Sequence, residues 1–279
     1  MRMDMATMAS SMSSCQSDDG AQKAQDGEHG PAGLLVEPAG AAPVSPIEHS
    51  DPGTPALFRL MTWMSPAYPV GAFAYSGGIE WAVEAGDIAD AASLGGWLTA
   101  LLRHGTLFGD AVIFAQAHRA ASAGDAAALA EIAELGAALA GSKERFLETT
   151  AQGHAFIEIT KAAWPAAALA RLAACRDGGV PIAYPVAAGT ACGGHGITAA
   201  PALQAFLHAA ASNLVSAGVR LIPLGQTDGQ RVLAALEAPI LQTAERALAV
   251  DLDGWGTATL RADIAAMRHE TQYTRLFRS

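Results

Sequence analysis

A cysteine and a histidine stand three residues apart in the glycine-rich segment 192–195, the best metal-binding candidate in the chain. The Cys192 thiolate and the His195 imidazole are ligand types that soft metal ions accept. Only two ligands are local, however, and no matching pair lies elsewhere, because His154 and His208 are isolated on predicted helices. A small buried cysteine beside a surface or interface histidine explains the same residues. We therefore expect no metal site.

The chain lacks the short motifs that mark common enzyme classes. It has no GxxxxGK[ST] nucleotide-binding loop, no HExxH motif and no GxSxG motif. Its acidic residues fall at predicted helix caps or on polar helix faces. An enzyme that uses a Pro/Gly-rich loop as an active-site lid is an alternative, but no nucleophile and base pair supports it. We expect no catalytic residue and no cofactor.

The C-terminal end of the chain interleaves arginines with apolar side chains. The candidate binding residues are Arg268, Tyr273, Arg275, Leu276, Phe277 and Arg278. Aromatic residues and arginine dominate the energetics of protein interfaces. Residues 255–279 carry a net charge of +2 on a chain whose net charge is −10, which favours contact with an acidic surface. The alternative for this end of the chain is a last helix packed on its own domain, which we assign to residues 259–270. We predict that residues 271–279 bind a partner.

The composition predicts an all-α protein. Hydrophobic residues make up 51% of the chain, alanine dominates and β-branched residues are sparse, which favours helices over strands. Residues 1–55 have no aromatic residue and hold two basic against eight acidic residues, a net charge of −6. We predict that this extension is disordered and that residues 56–279 form a single compact multi-helix bundle.

The net charge and the cysteine content limit which partners and which cellular compartment the chain can have. An acidic chain is a poor nucleic-acid binder. Three unevenly spaced cysteines form no disulfide framework, and no signal peptide is apparent, so we expect a cytoplasmic protein.

A rigid connector between two predicted helices reads SPAYPVGAFAYSGGIE at residues 65–80. Its two prolines fix their own φ and disfavour a helix at the residues before them, and its glycine permits a backbone angle or close approach that a Cβ forbids. Ser76 is predicted to cap the next helix. The residues that define this connector are Pro66, Tyr68, Pro69 and Gly71.

A second connector, residues 221–229, resembles the first in composition and contains Pro223, Gly225 and Asp228. Asp228 is predicted to cap the following helix, and Pro239 to kink it. Elsewhere, Asp90 is a predicted N-cap, and Gly109-Asp110 is predicted to mark a break or a kink.

Residues 178–219 contain no Asp, Glu, Lys or Arg. A membrane-spanning helix needs about 20 mainly apolar residues, and prolines and glycines divide this run into shorter pieces. We expect helices buried in the core or at a dimer interface instead of a membrane span. The expected contact residues are Phe206, Leu207, Leu214 and Val215.

Three stretches of the chain resemble the UreF family of urease accessory proteins. They are SPAYPVGAFAYSGGIE at 65–80, RLIPLGQTDGQRVL at 220–233 and DIAAMRHETQYTRLFRS at 263–279. The resemblance covers residues 56–279 and does not extend to residues 1–55.

The resemblance implies an all-helical homodimer that does no covalent chemistry. Members of the family join the accessory protein UreD, called UreH in some organisms, to the nickel-carrying GTPase UreG. The complex helps to insert nickel into apo-urease, and the resemblance implies that the UreF-like member regulates the GTPase and forms a passage for the ion with UreD.

The resemblance also assigns residue roles. The arginine of the family's Arg-Leu-Phe-Arg-Ser ending corresponds to Arg275, which is expected to recruit UreG. The tail is expected to become ordered when UreD binds, and the two connectors to be conformationally sensitive and to lie near partner surfaces. A strict GTPase-activating protein that supplies an arginine in trans is the alternative.

Overall fold

The computed structural model describes residues 53–279, which fold into α-helices with no β-strand among them. The predicted all-α class is confirmed for this part of the chain, whose residues belong to one compact unit. The predicted disorder of residues 1–55 lies outside the described residues, apart from its last three positions. The helices are α1 (Gly53–Trp63), α2 (Ile79–Glu84), α3 (Ala91–His104), α4 (Thr106–Ala123), α5 (Ala126–Ala138), α6 (Lys143–Ala163), α7 (Ala167–Asp177), α8 (Tyr184–Gly194), α9 (Ala199–Leu221), α10 (Gln226–Ala235), α11 (Glu237–Ala249) and α12 (Leu260–His269).

The core is organised around α8, in which nine of eleven residues are buried. This helix packs against α4, α6, α7 and α9. Glycine makes the α4 contact possible, because a Cβ at Gly189 would lie 2.4 Å from the carbonyl oxygen of Phe114. A Cβ at Gly193 would lie equally close to the carbonyl oxygen of His118, at 2.4 Å. Small residues therefore let the backbones of α4 and α8 touch.

The uncharged stretch forms α8 and most of α9, and its predicted burial is confirmed. Phe206, Leu207 and Val215 are buried and Leu214 is half-buried. The prediction that proline divides the stretch into short pieces is wrong for α9, which runs for 23 residues. Pro201 lies in its first turn, where a missing N–H breaks no helical hydrogen bond. Within residues 53–279, no helix combines the length and apolarity that crossing a membrane requires.

Two local predictions about α3 and α4 have different outcomes. Asp90 is the N-cap of α3, and its carboxylate accepts a hydrogen bond from the Ser93 N–H at 2.8 Å. The predicted break at Gly109 is wrong, because α4 continues through it and the chain turns at Gly105 instead. A Cβ at Gly105 would lie 2.7 Å from the Thr259 hydroxyl, so close packing as well as turning favours glycine there.

The chain around α10 and α11 also differs from prediction. Pro239 kinks no helix, because α10 and α11 are separate and Pro239 lies in the first turn of α11. Asp228 is not the N-cap of α10, since Gly225 takes that position. Asp228 lies within the first turn and pairs with Arg231 at 2.9 Å.

The 65–80 connector is a loop with one 3-10 turn, Ala72–Ala74, and its last two residues begin α2. Gly71 has φ +76°, so it supplies a backbone angle that side chains rarely adopt. Ser76 is not the N-cap of α2, because Gly78 occupies that position with φ +82°. The Ser76 hydroxyl still accepts a hydrogen bond from the Glu80 N–H, at 3.4 Å.

Aromatic side chains fix the start of this loop to the core. The buried Trp63 ring packs edge-on against Phe156 and Trp164, with ring centroids 6.3 and 5.9 Å apart. The Tyr68 hydroxyl shares a 2.8 Å hydrogen bond with the Thr160 hydroxyl. Burial raises the pKa of Tyr68, so this phenol is neutral at physiological pH.

Candidate partner-binding site

The C-terminal tail, residues 271–279, folds back onto the 65–80 loop. The Arg278 N–H donates to the Ala74 carbonyl at 2.8 Å. The Ser279 carbonyl accepts from both the N–H and the hydroxyl of Ser76, at 2.5 and 2.6 Å. The two most distinctive stretches of the sequence therefore form one structure, which we call the tail-docking site.

A single buried carboxylate, that of Glu80, holds the tail near its end. It accepts hydrogen bonds from the backbone N–H groups of Leu276 and Phe277, at 2.6 and 2.9 Å. The His269 Nε2 lies 3.1 Å from the same carboxylate. Because Glu80 accepts from two successive backbone N–H groups, it fixes this part of the tail against α2.

Glu144, in the first turn of α6, joins the end of α12 to the tail. Its carboxylate lies 2.6 Å from His269 Nδ1 and accepts a hydrogen bond from Arg275 Nη1, also at 2.6 Å. His269 is fully buried, with one carboxylate facing each ring nitrogen. His269 therefore links Glu80 of α2 to Glu144 of α6.

A second charged cluster lies beneath the end of the tail. Arg145 pairs with Asp110 and lies 3.5 Å from Glu148, whose carboxylate accepts a 3.1 Å hydrogen bond from the Ser279 hydroxyl. Burial alone would lower the pKa of Arg145, but the two neighbouring carboxylates raise it, so the guanidinium stays charged. Burial raises the pKa of Glu148, and the nearby Arg145 acts against that shift. A cavity of about 230 Å³ adjoins this cluster.

Arg220, at the end of α9, connects the loop to the tail by a different interaction. Its guanidinium carbon lies 3.8 Å from the centre of the Phe73 ring and 4.3 Å from that of the Phe277 ring. Its Nη2 also donates to the Phe73 carbonyl at 3.2 Å. Burial lowers the pKa of Arg220 from its ordinary value, though an arginine remains charged at neutral pH.

The predicted binding residues divide into buried and exposed members. Phe277 is buried against the protein's own body, whereas Tyr273 is fully exposed and Leu276 is 65% exposed. The Arg275 side chain is 38% exposed while it pairs with Glu144. Arg268 and Arg278 are exposed. Part of the tail thus attaches it to the protein, and its remaining side chains face solvent.

The connector residues occupy different places. In the first connector Tyr68 is buried, while Pro66, Pro69 and Gly71 lie on the surface. The second connector is shorter than predicted, because α9 ends at Leu221 and α10 begins at Gln226. Pro223 and Gly225 are exposed between these helices, and Asp228 is half-buried in α10. This connector is linked to the tail-docking site through Arg220, which lies just before it.

Cys192 and His195, the two candidate metal ligands, lie in different surroundings. Cys192 is fully buried in α8, and burial raises the pKa of its thiol to about 12. His195 Nε2 forms a 3.1 Å hydrogen bond with the Trp164 carbonyl, and burial lowers the pKa of His195. In the part of the chain that the structure describes, no three His, Cys, Asp or Glu side chains converge as a metal site would require.

Sequence reasoning missed four residues of the tail-docking site: Glu80, Glu144, Arg220 and His269. Each looked like an ordinary polar position on a helix. Only Glu80 could have been singled out from the sequence, because it is the last residue of the distinctive 65–80 motif. Its partners lie 196 and 197 residues away in sequence, so local patterns could not identify them.

The fold and the site first define a class: an all-α protein whose candidate site is a docked C-terminal tail with exposed apolar and arginine side chains. Comparison with known proteins then gives the family. A family model described as UreF matches residues 88–237.

Several urease accessory proteins named UreF are similar to this chain. That of Rhodopseudomonas palustris strain HaA2 is 61% identical over 224 residues, covering 80% of this chain and 94% of the relative. That of R. palustris strain TIE-1 is 58% identical over 247 residues, covering 88% of this chain and 100% of the relative. That of Bradyrhizobium diazoefficiens is 60% identical over 225 residues, covering 80% of this chain and 92% of the relative. The chain belongs to the UreF family of urease accessory proteins, as the sequence motifs indicated.

Proposed function

We propose that this protein is a cytoplasmic, homodimeric scaffold in urease maturation. It bridges UreD (UreH) and the GTPase UreG in the complex that delivers nickel to apo-urease, and it leaves the chemistry to its partners. Membership of the UreF family supports the accessory role. The particular partners come from the family resemblance of the loop and tail motifs.

The proposal is carried by one observation about the tail. Some of its groups hold it on the body of the protein, while other side chains of the same segment are exposed. Glu80 and Glu144 hold residues 275–277 against the body of the protein. Tyr273, Leu276 and Arg278 are left exposed on the same short segment. A tail with a fixed backbone loses little conformational entropy on binding, so it is a suitable recognition element.

In this mechanism the tail-docking site positions UreG. Arg275 is held by Glu144 at 2.6 Å, so its guanidinium has a defined direction in the docked tail. The GTPase binds the exposed side chains of the docked tail, while UreD binds the scaffold elsewhere. Nickel is the cargo of the complex, and the nucleotide state of UreG controls its release.

Deletion of residues 271–279, or Arg275→Ala alone, should abolish co-purification of UreG when the proteins are co-expressed with UreD. Helical content by circular dichroism and dimer mass by size-exclusion light scattering should stay unchanged, because residues 271–279 themselves form no helix. Arg171→Ala is the matched control, since Arg171 is an exposed arginine on α7 that contacts only the Gly124 carbonyl among the described residues.

UreG capture that survives both changes would show that the tail is not the recruiting element. A separate measurement distinguishes the catalytic alternative. If this protein accelerates single-turnover GTP hydrolysis by UreG about a thousandfold or more, and Arg275→Ala removes that acceleration, a GTPase-activating role replaces the scaffold.

A further inference from the structure

Three large apolar side chains lie exposed on one face of α1. Leu57, Phe58 and Met61 are 59%, 63% and 69% exposed, and helical geometry places them within about 100° of one another around the axis. The other side of α1 holds it to the core, because Leu60 and Trp63 are buried there. Contiguous exposed apolar side chains, unlike single ones, mark a surface that another segment or molecule covers.

The charge beside this face indicates what covers it. Arg59 supplies the only charge of α1 and directly follows Phe58, so it flanks the apolar side chains. Among residues 53–279, no carboxylate forms an ion pair with Arg59. Burial lowers the pKa of His195, and the positive charge of Arg59 lowers it further. An occupant that combines apolar side chains with a carboxylate is therefore complementary to the face.

The chain that leads into α1 contains such a sequence. Residues 1–52 hold two basic and eight acidic residues, a net charge of −6. Their only run of three large aliphatic residues, Leu34, Leu35 and Val36, is followed directly by Glu37. An extension with so few apolar residues cannot build a core of its own, so a segment of it can be ordered only on a surface that the folded residues supply. The exposed face of α1 is such a surface.

The connection is long enough for this segment to lie on α1. The 15 residues 38–52 separate Glu37 from Gly53, and a chain of that length spans up to about 50 Å. The helix itself has 11 residues and is about 16 Å long. The segment can therefore reach any point along the exposed face.

Two other occupants fit this face less well. A second copy of the same face would bring Arg59 close to Arg59 and would supply no carboxylate. An anionic membrane repels a chain whose net charge is −10. The acidic, apolar segment of the chain itself is the complementary occupant.

We propose that the exposed face of α1 is the docking site of residues 34–37 of the same chain. The aliphatic run covers the three exposed side chains, and the Glu37 carboxylate lies beside Arg59. The docked segment shields an apolar surface from solvent, which gives the acidic extension a role in the folded molecule. This inference does not depend on the scaffold role.

Oxidation of methionine by hydrogen peroxide tests the proposal on the purified full chain. If residues 53–279 alone decided exposure, Met61 at 69% exposed would be oxidised faster than Met267 at 45%, and the buried Met64 slower than both. The docked segment should reverse the order of Met61 and Met267. Peptide mass spectrometry after brief peroxide treatment measures the rate at each methionine.

Leu35→Asp and Val36→Asp should each uncover the face, because a carboxylate is costly to place against apolar side chains. The oxidation of Met61 should then accelerate about threefold or more, the factor expected if the segment is docked for at least about two thirds of the time. Met267 should be unaffected. Val44→Asp is the matched control, because it makes the same charge change in the extension outside residues 34–37 and should leave Met61 protected.

Faster oxidation of Met61 than of Met267 in the unaltered chain would show that the face is uncovered and would overturn this inference. If phosphatidylserine vesicles then protected Met61, the face would be a membrane-binding surface instead. Slow oxidation of Met61 that both Leu35→Asp and Val36→Asp leave unchanged would assign the face to a second copy and reject the docked segment. An equal acceleration by Val44→Asp would show an effect of charge alone, which also contradicts docking.

The altered residues precede α1, so circular dichroism should give the same helical content for every variant. None of these measurements involves UreD or UreG. A negative result would therefore leave the scaffold role standing, and a failure of the scaffold role would leave this inference in place.

Discussion

Glu80 combines three attachments in one buried carboxylate. It accepts from two successive backbone N–H groups of the tail and faces His269. The backbone bonds depend on the conformation of the tail, and not on which side chains residues 276 and 277 carry. The outward side chains can therefore serve recognition while Glu80 fixes their positions.

Replacing Glu80 by glutamine should loosen the tail. The amide keeps the size of the side chain but loses its charge and presents N–H groups toward backbone N–H groups. Hydrogen bonds to charged groups contribute about 1.5–3 kcal/mol, so a loss of about 2 kcal/mol should raise the undocked population about 30-fold. Trypsin cleavage after Arg275 should accelerate accordingly.

Glu84→Gln provides the control on the same helix, because Glu84 is exposed and lies outside the tail-docking site. Its cleavage rate should match that of the unaltered protein. Equal protection of the tail in both variants would mean that Glu80 is not its main attachment.

Cys192 should be chemically inert in the folded protein. Its side chain is fully buried, and burial raises the pKa of its thiol to about 12, so very little of the reactive thiolate forms at pH 8. The half-buried Cys175 is the internal reference. After brief iodoacetamide treatment at pH 8, peptide mass spectrometry should find Cys175 alkylated and Cys192 intact, and denaturation should make both reactive. Comparable alkylation in the native state would contradict this burial.

At the scale of elements, the contact between α4 and α8 sets how closely the core can pack. The glycines of α8 fit against α4 because they have no side chain. Composition predicted a helical core but not this contact, since an alanine-rich pattern does not show which helices touch. The predicted break at Gly109 failed for a related reason, and near Pro239 the chain forms two separate helices, α10 and α11, instead of one kinked helix. Packing and position within a helical turn decide whether such residues interrupt a helix.

Gly189→Ala should destabilise the fold. Its new Cβ would lie 2.4 Å from the Phe114 carbonyl oxygen, a backbone atom that cannot rotate away. Overpacking of this kind costs about 1–3 kcal/mol in the free energy of unfolding, which urea denaturation followed at 222 nm measures.

Gly96→Ala is the matched control, because Gly96 is an exposed residue of α3 with no atom within 4 Å of its would-be Cβ. Alanine there should raise the free energy of unfolding by about 0.5–1 kcal/mol. If both variants gave the same free energy of unfolding, the close approach of α4 and α8 would be disproved.

At the scale of the whole molecule, the sequence predicted the helical class, the buried uncharged stretch and the family. These depend on composition, on periodicity and on motifs, which are all local. It also marked the 65–80 loop and the tail as the unusual stretches. It could not show that they join each other, because the contacts of Glu80, Glu144 and Arg220 connect distant segments. The roles of Arg275 and the other binding residues stay predictions until partners are tested.

Because the docked tail belongs to the same chain as its loop, the two cannot separate by diffusion. Its effective concentration at the loop is fixed by the short connection from α12, and dilution does not lower it. A scarce accessory protein would thus keep its recognition surface assembled at any cellular abundance. A competing peptide that mimics the tail would have to be present at very high concentration to displace it.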